Sequence, residues 1–444
     1  MQSFLMQNRK LRILHIAAHL GEGVGKAVGG IALRDAVCSH EIILLETPLK
    51  TRYVDECRAK GANVYIAPAR YEFAKMVSNA DIVVLNWWNH PLTGLFLSMM
   101  PEIPVRLILW CHVNGIYYPR LPAKFVDCFD GCLFTSPVSL EVPYWSTDER
   151  KRIATKSAIV YGLGHFNPEG QLCKKDYSLC RPVRIGYVGT LDYAKLHPDF
   201  LQYCLAVLKR GVKAEFYLAG EPSDALIESI EKLNLENKIK LLGYRNDILD
   251  LLPTFDIFGY LLNPNNFATT ENALLEAMAA GLPIITSDGM AEKAIVSDGE
   301  NGFLVSDPNE YADKVVELLE NAETRKRLGL RARESVCNKY TSEVNLSKFH
   351  QSIQKVVEKE KRVHDFSGVR GQSASDMFIY FCPPRAQDIF KDILTDTTDK
   401  YKSLEAKIKE LGAVFKTDKK GSPLQFLKYY PNDGNLKKIC EMLR

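Results

Sequence analysis

DIFGYLLNPNNFATTENALLEAMAAGLP, residues 256–283, decides the fold of this chain. The stretch reads as an apolar strand, a polar loop, a helix rich in alanine and leucine, a glycine stop and the start of another strand. A strand, a helix and a second strand form the unit from which parallel sheets are built. We expect the helix to begin near Thr269 or Thr270, either of which could cap it.

The same alternation of short apolar runs and longer amphipathic stretches extends in both directions from this segment. It is typical of parallel sheets that are buried on both faces. The strands expected in the first half are 12–16, 41–45, 62–67, 81–86, 106–112, 131–136 and 157–162. The strands expected in the second half are 184–190, 213–220, 239–244, 256–261, 282–287 and 302–306.

These two series predict an α/β protein with two Rossmann-like domains, at 1–165 and 180–340, joined by a stretch rich in glycine and proline. We expect 341–364 to be a helix that crosses back over the first domain. Residues 365–444 form an appendage that could dimerise, hold a second enzyme or bind a substrate. Since parallel sheets bind ligands beyond the carboxyl ends of their strands, two facing domains would enclose an interdomain cleft for two substrates.

Composition narrows the class of protein. The chain has 444 residues, too many for one ordinary core, and a formal net charge of +3, which does not predict a nucleic-acid partner. The longest stretch without Asp, Glu, Lys or Arg, 82–101, contains Asn86 and Pro91 and is a poor membrane span. The start of the chain carries charges where a signal peptide needs an apolar run. We therefore expect a cytoplasmic protein, for which a peripheral contact with a membrane is compatible with the charge.

Metal binding is not expected. The 11 cysteines are irregularly spaced, and neither a Cys-x-x-Cys pair nor an Asp-x-Asp motif occurs. Buried thiols in a reducing compartment are the simpler interpretation.

The start of the predicted helix suits a nucleotide. Thr270 and Asn272 lie at its tip, where backbone N–H groups and the helix dipole favour a phosphate. Glu276 lies almost two turns further along, and a carboxylate can accept hydrogen bonds from both hydroxyl groups of a ribose. The alternative for Glu276 is an exposed helix glutamate without a ligand.

Residues 256–283 resemble the nucleotide-binding signature of the GT-B glycosyltransferases, in particular family 4 with its Glu-x7-Glu motif. Glu276, followed by AMAAG, matches the second glutamate of that motif, which the resemblance implies holds the ribose. The first glutamate would stand at 268, where this chain has Ala268. Glu271 would then take over the contact with the donor sugar; the alternative is a glutamate that only stabilises the helix start.

A second matching segment is GYVGTLDYAKLHPDF, residues 186–200. The family pattern is Gly-Arg-Leu followed by a lysine that opens a helix. Gly189 and Leu191 are kept, Thr190 replaces the arginine, and Lys195 matches the lysine. The resemblance implies that Lys195 stabilises the departing diphosphate, with one cation instead of two; a solvent-exposed lysine is the alternative.

Weaker matches complete the second domain. Tyr244 and Arg245 stand where the family binds the nucleotide base, and Glu292 stands where a glutamate faces the donor. A surface loop explains the first two nearly as well, and a surface salt bridge explains Glu292 about as well.

In the first domain, HLGEGVGKAVGG, residues 19–30, follows the first strand and fits neither the Walker motif nor the dinucleotide fingerprint. Gly29 and Gly30 resemble the family's glycine pair, which would let backbone N–H groups approach a phosphate or sugar. His112 ends the fifth strand, where the family has a histidine that would bond the donor sugar. A tight turn and a core histidine, respectively, are the alternatives.

The segment NWWNH, residues 86–90, ends the fourth strand and suits an acceptor. Trp87 and Trp88 could stack on a sugar ring, and Asn86 and His90 could bond hydroxyl groups. Core packing of the tryptophans is an equal alternative.

The resemblance implies a glycosyltransferase that moves a sugar from a UDP- or GDP-linked donor to a saccharide, lipid-linked or other hydroxyl acceptor, with retained anomeric configuration and without a cofactor or metal. Assembly of polysaccharides or glycoconjugates fits such an enzyme. Two alternatives stay open because Ala268 and Thr190 depart from the family pattern. One is a catalytically degenerate sugar-nucleotide-binding subunit, and the other is a GT-B epimerase acting on the sugar nucleotide.

Overall fold

The computed structural model describes residues 9–98, 100, 102–162, 177–179, 182–267, 269–395 and 401–443. By its internal contacts the chain divides into two units. Unit 1 comprises Met1–His165 and Ser342–Arg444, and unit 2 comprises Phe166–Thr341. Unit 1 is therefore built from two separate stretches of sequence.

Unit 1 contains a seven-stranded parallel sheet in the order β3-β2-β1-β4-β5-β6-β7. The order reverses between β1 and β4, which makes a topological switch point there. The strands are β1 (Arg12–Ala17), β2 (Ser39–Leu44), β3 (Asn63–Ile66), β4 (Ile82–Trp87), β5 (Leu107–Cys111), β6 (Gly131–Phe134) and β7 (Ser157–Ile159).

The crossovers of this sheet are helices, as parallel strands require. They are α1 (Glu22–Arg34), α2 (Arg52–Ala59), α3 (Arg70–Asn79), α4 (Pro91–Ser98), α5 (Ala123–Asp127) and α6 (Thr147–Thr155), with a 3-10 turn at Pro137–Leu140. Helix α6 begins with a reciprocal capping box, in which Ser146 accepts from the backbone of Glu149 and the Glu149 side chain accepts from that of Ser146.

Unit 2 contains a six-stranded parallel sheet in the order β10-β9-β8-β11-β12-β13. Its strands are β8 (Val183–Val188), β9 (Ala214–Ala219), β10 (Ile239–Gly243), β11 (Ile257–Tyr260), β12 (Ile284–Ser287) and β13 (Phe303–Val305). Its helices are α7 (Phe200–Lys209), α8 (Asp224–Lys232), α9 (Ile248–Leu251), α10 (Asn272–Ala279), α11 (Met290–Lys293), α12 (Pro308–Glu320) and α13 (Ala322–Lys339), with a 3-10 turn at Leu252–Thr254.

The chain then returns to unit 1 through helix α14 (Ser342–Val357). The apolar face of this helix, including Phe349, Ile353 and Val356, joins the core around Trp110 beneath the first sheet. The fit is close, since a Cβ atom on Gly131 would lie 2.7 Å from Val356 Cγ2. Helix α14 is therefore an integral part of unit 1.

The last part of unit 1 is helical. Its elements are α15 (Ser367–Arg370), α16 (Ala374–Tyr380), α17 (Pro384–Thr395), α18 (Tyr401–Lys409), a 3-10 turn at Ala413–Phe415, α19 (Pro423–Tyr429) and α20 (Gly434–Met442). Phe378 is the centre of its core and lies within 5.5 Å, centroid to centroid, of the rings of Phe390 and Phe426. We call residues 365–443 the appendage.

Every strand expected from the sequence is present, with bounds that differ by a few residues. The expected crossover helix ends earlier, at Val357 rather than 364. The expected linker lies largely outside the described residues. None of the described helices combines the length and the apolar character that spanning a bilayer requires.

Candidate functional site

The loop between β8 and α7, which carries Lys195, is held by close backbone contacts with the loops that follow β9 and β11. After β8 the chain passes through Gly189, whose carbonyl oxygen would lie 1.9 Å from a Cβ atom on Gly220, so a side chain at Gly220 would clash. The backbone N–H of Asn263 donates to the carbonyl oxygen of Lys195 at 2.7 Å. Lys195 lies in this loop and does not open a helix as the family pattern implied, because α7 begins only at Phe200.

Lys195 and Glu271 meet in a largely buried ion pair. Lys195 Nζ lies 2.9 Å from Glu271 Oε2, and the hydroxyl of Tyr260 donates to the same oxygen. The Lys195 side chain is 21% exposed and that of Glu271 is 4% exposed, so one end of the pair is accessible to a ligand. Glu271 is the N-cap residue of α10, but its side chain makes no capping hydrogen bond. The carboxylate instead orients the ammonium group.

Glu292 is a second buried carboxyl group in this part of unit 2. The Ser287 hydroxyl donates to Glu292 Oε1 at 3.0 Å and accepts from the backbone N–H of Leu262 at 3.0 Å. Burial, and next the charge of Glu271, raise the pKa of Glu292 to about 7. A Cβ atom on Gly289 would lie 2.4 Å from Glu292 Oε2, so a side chain at 289 would displace the carboxyl group. Glu292 is therefore a buried group and not part of a surface salt bridge.

Helix α10 starts later than the sequence predicted. It begins at Asn272 with Glu271 as its N-cap, so neither Thr269 nor Thr270 caps it. In the preceding loop Asn263 forms a tight turn, because its side-chain oxygen accepts from the backbone N–H of Asn265 and its carbonyl oxygen accepts from the side chain of Asn266. Ala268 lies outside the described residues.

Three of the residues assigned to the nucleotide lie around the start of α10. Thr270 precedes the helix, Asn272 is its first residue, and Glu276 stands one turn after Asn272; all three are partly exposed. Their roles in binding stay predictions.

The other residues assigned to the nucleotide lie elsewhere on the same edge of the sheet. Thr190 follows β8, and its carbonyl oxygen accepts from the hydroxyl of Tyr187 at 3.3 Å. Tyr244, 44% exposed, and Arg245 follow the edge strand β10, two strands away from β8. Arg245 Nε donates to Asp247 Oδ1 at 2.7 Å. The structure thus brings Lys195 together with Glu271 but holds Tyr244 and Arg245 in a separate exposed loop.

In unit 1, His112 follows β5 and is held by Asn86. His112 Nε2 and Asn86 Oδ1 are 3.0 Å apart, and burial lowers the pKa of His112 to about 3. The imidazole is therefore neutral at pH 7, with the proton on Nε2 because Asn86 Oδ1 can only accept. Nδ1 is then left as an acceptor.

The two tryptophans at the end of β4 differ in environment. Trp87 is 1% exposed and packs against Phe125 and Phe381, so it is a core residue and is not available for stacking on a ligand. Trp88 is partly exposed and lies edge-on to His19, with ring centroids 5.3 Å apart. Only Trp88 fits the stacking role predicted for this pair.

Gly29 and Gly30 do not lie in a loop. Both are buried inside helix α1, which begins at Glu22, so the connection after β1 is only about four residues long. The tight turn given as the alternative for them is wrong, because both lie in a 13-residue helix that contains four glycines. A ligand role for these glycines stays a prediction.

Sequence reasoning missed Tyr260, Glu46 and Tyr429. The hydroxyl of Tyr429, in α19, donates to Glu46 Oε2, two residues beyond β2. Glu46 could have been found, because it follows the carboxyl end of a predicted strand. The contact with Tyr429 could not, since the two residues are far apart in the chain.

Two groups of side chains with metal-ligating atoms occur among the described residues, and both are in unit 1. His19, Glu46 and His90 form one group, and Asp35, Cys38 and His350 form the other. In the second group Asp35 Oδ2 and His350 Nε2 are 2.8 Å apart, and burial, then the charge of Asp35, raise the pKa of the Cys38 thiol to about 12. A thiolate ligand is disfavoured there, and hydrogen bonding accounts for the group.

Comparison with known proteins agrees with the family named from the sequence. Residues 182–321 match the family model described as "Glycosyl transferases group 1". N-acetyl-alpha-D-glucosaminyl L-malate synthase of Bacillus anthracis is 26% identical over 202 residues, which are 44% of this chain and 52% of that protein. Poly(ribitol-phosphate) alpha-N-acetylglucosaminyltransferase of Staphylococcus aureus is 25% identical over 170 residues, 37% of this chain and 34% of that protein. The match thus spans about half of the first relative and a third of the second.

Solved structures show the same fold. Anabaena HepE in complex with UDP and glucose aligns with a TM-score of 0.61 and 16% identity, over 78% of this chain and 99% of that one. TarM aligns with a TM-score of 0.60 and 12% identity, over 79% and 99%. The predicted GT-B class, with two Rossmann-like α/β units, is confirmed, and the predicted resemblance is confirmed for residues 182–321. The Glu-x7-Glu motif is not part of these findings.

Proposed function

We propose that this chain, whose residues 182–321 match the group 1 glycosyltransferases, is a retaining glycosyltransferase. It transfers a sugar from a nucleoside-diphosphate sugar, held by unit 2, to a hydroxyl group of an acceptor, held by unit 1. The observation that carries the proposal is the Lys195–Glu271 ion pair beside the start of α10, inside the matched region.

Lys195 supplies the charge that the leaving group needs. As the bond between the anomeric carbon and the diphosphate breaks, negative charge develops on the diphosphate oxygen. An ammonium group held in place by a buried carboxylate requires little reorganisation to stabilise that charge. The start of α10 adds backbone N–H groups and the positive end of its dipole.

Glu271 has a second task in this proposal. Its Oε2 atom accepts from Lys195 and from Tyr260. Its Oε1 atom then accepts from a hydroxyl of the donor sugar, the contact that the family assigns to the glutamate absent at 268. Glu276, on the flank of α10, accepts from the ribose hydroxyls.

The transfer needs no covalent intermediate between the sugar and the protein. The acceptor oxygen forms the new bond to the anomeric carbon on the face from which the diphosphate leaves, and the acceptor proton passes to the diphosphate oxygen. The donor is UDP- or GDP-linked; the UDP complex of the similar HepE fold supports UDP. The acceptor is a saccharide, a lipid-linked molecule or another hydroxyl compound, and the poly(ribitol-phosphate) in the name of the S. aureus relative is an acceptor of the last kind.

One observation favours a second candidate, a sugar-nucleotide-binding subunit without turnover. Thr190 stands where the family has an arginine, so this edge of unit 2 has lost one of two cations. Binding of a sugar nucleotide without transfer or hydrolysis would support the subunit. Turnover of the sugar nucleotide to its epimer, without an acceptor, would support an epimerase.

The proposal is tested by thermal shift with UDP- and GDP-sugars, because a ligand that binds the folded state raises the melting temperature. We expect one of them to stabilise the protein, and Glu276→Ala to remove this effect. Glu228→Ala, on the exposed face of α8, is the matched control and should keep the full shift.

Lys195→Ala separates binding from chemistry. We expect it to retain most of the thermal shift but to reduce sugar transfer or hydrolysis by about 10²- to 10³-fold, as for loss of one charge-stabilising group. A thermal shift that survives in Glu276→Ala, or unchanged turnover in Lys195→Ala, would contradict the assigned roles.

A further inference from the structure

A polar cluster lies at the switch point of the unit 1 sheet. His19 follows β1, Glu46 follows β2, and Trp88 and His90 follow β4, so all four stand at the carboxyl ends of neighbouring strands. Tyr429 joins them from the appendage. We call these five residues the Glu46 cluster. In open parallel sheets this position is where ligands bind.

Glu46 is the centre of the cluster. Its Oε1 atom lies 3.5 Å from His90 Nε2 and 4.0 Å from His19 Nε2. Its Oε2 atom accepts from the Tyr429 hydroxyl. The side chains of Glu46 and His19 are 25% and 32% exposed, so a ligand can reach Oε1 from solvent.

His90 contributes a buried hydrogen-bond donor to the cluster. The side chain is 1% exposed, and among the described residues its Nε2 atom has no hydrogen-bond partner. His90 Nδ1 accepts from the backbone N–H of Leu92 at 3.3 Å, which places the proton of the neutral ring on Nε2. Burial, followed by the charges of His19 and Lys428, lowers the pKa of His90 to about 3, so the ring is neutral at pH 7.

The protonation of His90 determines which kind of ligand atom can contact both His90 Nε2 and Glu46 Oε1. A metal ion needs the lone pair of Nε2, which would force a proton onto Nδ1 against the Leu92 N–H. An oxygen that both accepts and donates suits the arrangement better. It would accept from His90 Nε2–H and donate to Glu46 Oε1, which removes the cost of an unsatisfied buried donor. A hydroxyl group is such an oxygen.

The appendage fixes this arrangement. Gly421, with a φ of 72°, packs its turn against the loop after β4, where a Cβ atom would lie 2.7 Å from the carbonyl oxygen of Asn89. Tyr118 links the loop after β4 to the turn at Gly421, because its hydroxyl accepts from the Asn89 side chain and donates to the carbonyl oxygen of Gly421. Helix α19 follows this turn and carries Tyr429 to Glu46. The Glu46 cluster is therefore completed by the C-terminal part of the chain.

We infer that the Glu46 cluster binds a saccharide through one of its hydroxyl groups, with Trp88 against the sugar ring and Tyr429 as the positioning residue for Glu46. The interpretation of this saccharide as the acceptor rests on the proposed function. The appendage then helps to determine acceptor specificity, which gives residues 365–443 a role.

Saturation-transfer NMR on the full chain tests the inference, with methyl α-D-glucopyranoside and methyl N-acetyl-α-D-glucosaminide as probes. We expect at least one glycoside to bind, and Glu46→Gln to weaken it about tenfold or more, because a neutral amide is a poorer acceptor than a carboxylate. Tyr429→Phe should weaken binding by roughly three- to tenfold, through the loss of one hydrogen bond that orients Glu46.

Tyr430→Phe is the matched control. Tyr430 is the next residue in the chain, and its hydroxyl donates to the carbonyl oxygen of Pro91 at 3.1 Å rather than to Glu46. Glycoside affinity should stay within about twofold in this variant. The thermal shift with UDP is measured on all variants; a local effect on Glu46 leaves it unchanged, whereas general damage to the fold lowers it together with the melting temperature.

Equal losses in Tyr429→Phe and Tyr430→Phe, or no glycoside binding by the wild type, would overturn the inference. So would stoichiometric binding of Zn²⁺ by calorimetry that is lost in His19→Ala and His90→Ala, since this would make the cluster a metal site. Absence of any sugar-nucleotide binding would contradict the proposed function alone, because glycoside binding that depends on Tyr429 would still stand.

Discussion

Replacing Glu292 by glutamine should stabilise unit 2 at neutral and alkaline pH. The carboxyl group is 1% exposed and has a pKa of about 7, against an ordinary value of 4.5. This difference corresponds to about 3 kcal/mol between the protonated and ionised forms. Glutamine has nearly the same shape, can still accept from Ser287, and carries no charge.

The direction in which stability changes with pH follows from the raised pKa of Glu292 in the folded state. Because the folded state holds the proton more tightly, the stability that protonated Glu292 provides is complete below pH 4.5 and is lost as the pH rises through 7. Glutamine has no proton to lose in this range. The free energy of unfolding of Glu292→Gln minus that of the wild type should therefore increase by about 3 kcal/mol between pH 4 and pH 8.

Denaturant unfolding can follow the two units separately. All four tryptophans, at 87, 88, 110 and 145, belong to unit 1, so their fluorescence reports that unit. Hydrogen exchange in peptides covering β12 and α11 reports unit 2. We expect the substitution to change exchange in unit 2 and to leave the fluorescence transition in place.

Glu300→Gln, an exposed position in the same unit, is the matched control and should show no such pH dependence. The reasoning would be refuted if the two glutamine variants changed in parallel with pH. It would also be refuted if Glu292→Gln were equally destabilising at pH 4 and pH 8, since the carboxyl group would then be acting by its shape alone.

Two further predictions concern unit 1. Trp87→Ala should destabilise the protein by about 3–5 kcal/mol, because it empties a core position. Trp88→Ala should cost much less stability but abolish binding of the methyl glycosides. A thermal melt and the NMR titration distinguish the two variants, and equal losses of stability would contradict the assignment of Trp87 to the core and Trp88 to the ligand. Asp35→Asn should cost about 3–5 kcal/mol at pH 7, because it removes the charge of a fully buried carboxylate that His350 and His40 bond. Burial alone would raise the pKa of Asp35, but the hydrogen bonds from these histidines lower it overall, so its contribution is present above pH 3.8 and is lost below it. Guanidinium unfolding at pH 7 and pH 3 measures this penalty, and a penalty that persists undiminished at the lower pH would count against a role for the charge of Asp35.

Much of the fold could be predicted because it depends on local pattern. Buried parallel strands are runs of Val, Ile and Leu, and such runs identify each strand from β1 to β13 without knowledge of its neighbours. Helix boundaries were less predictable. Thr270 has the chemistry of a cap, but the helix begins at Asn272 with Glu271 as its N-cap. A tight turn was an open alternative for Gly29 and Gly30, although helix α1 contains both.

The residues of the candidate site could be predicted from the sequence, but the contacts between them could not. Lys195 and Glu271 were each assigned from the family pattern, but nothing in the sequence states that they touch. Their contact depends on the pairing of β8 with β11, which sets the positions of the two loops. The hydrogen bond between Glu46 and Tyr429 is even harder to predict from the sequence, because it joins the two separate stretches of unit 1.

The division of unit 1 into two stretches of sequence has a consequence for synthesis. A ribosome completes all seven strands of the first sheet, and then the whole of unit 2, before helix α14 is made. Until Phe349 and Ile353 emerge, the apolar surface that they cover in the finished protein is open to water or to chaperones. Unit 2, which is continuous in the chain, can fold during this interval, so the first sheet to be translated belongs to the unit that is completed last.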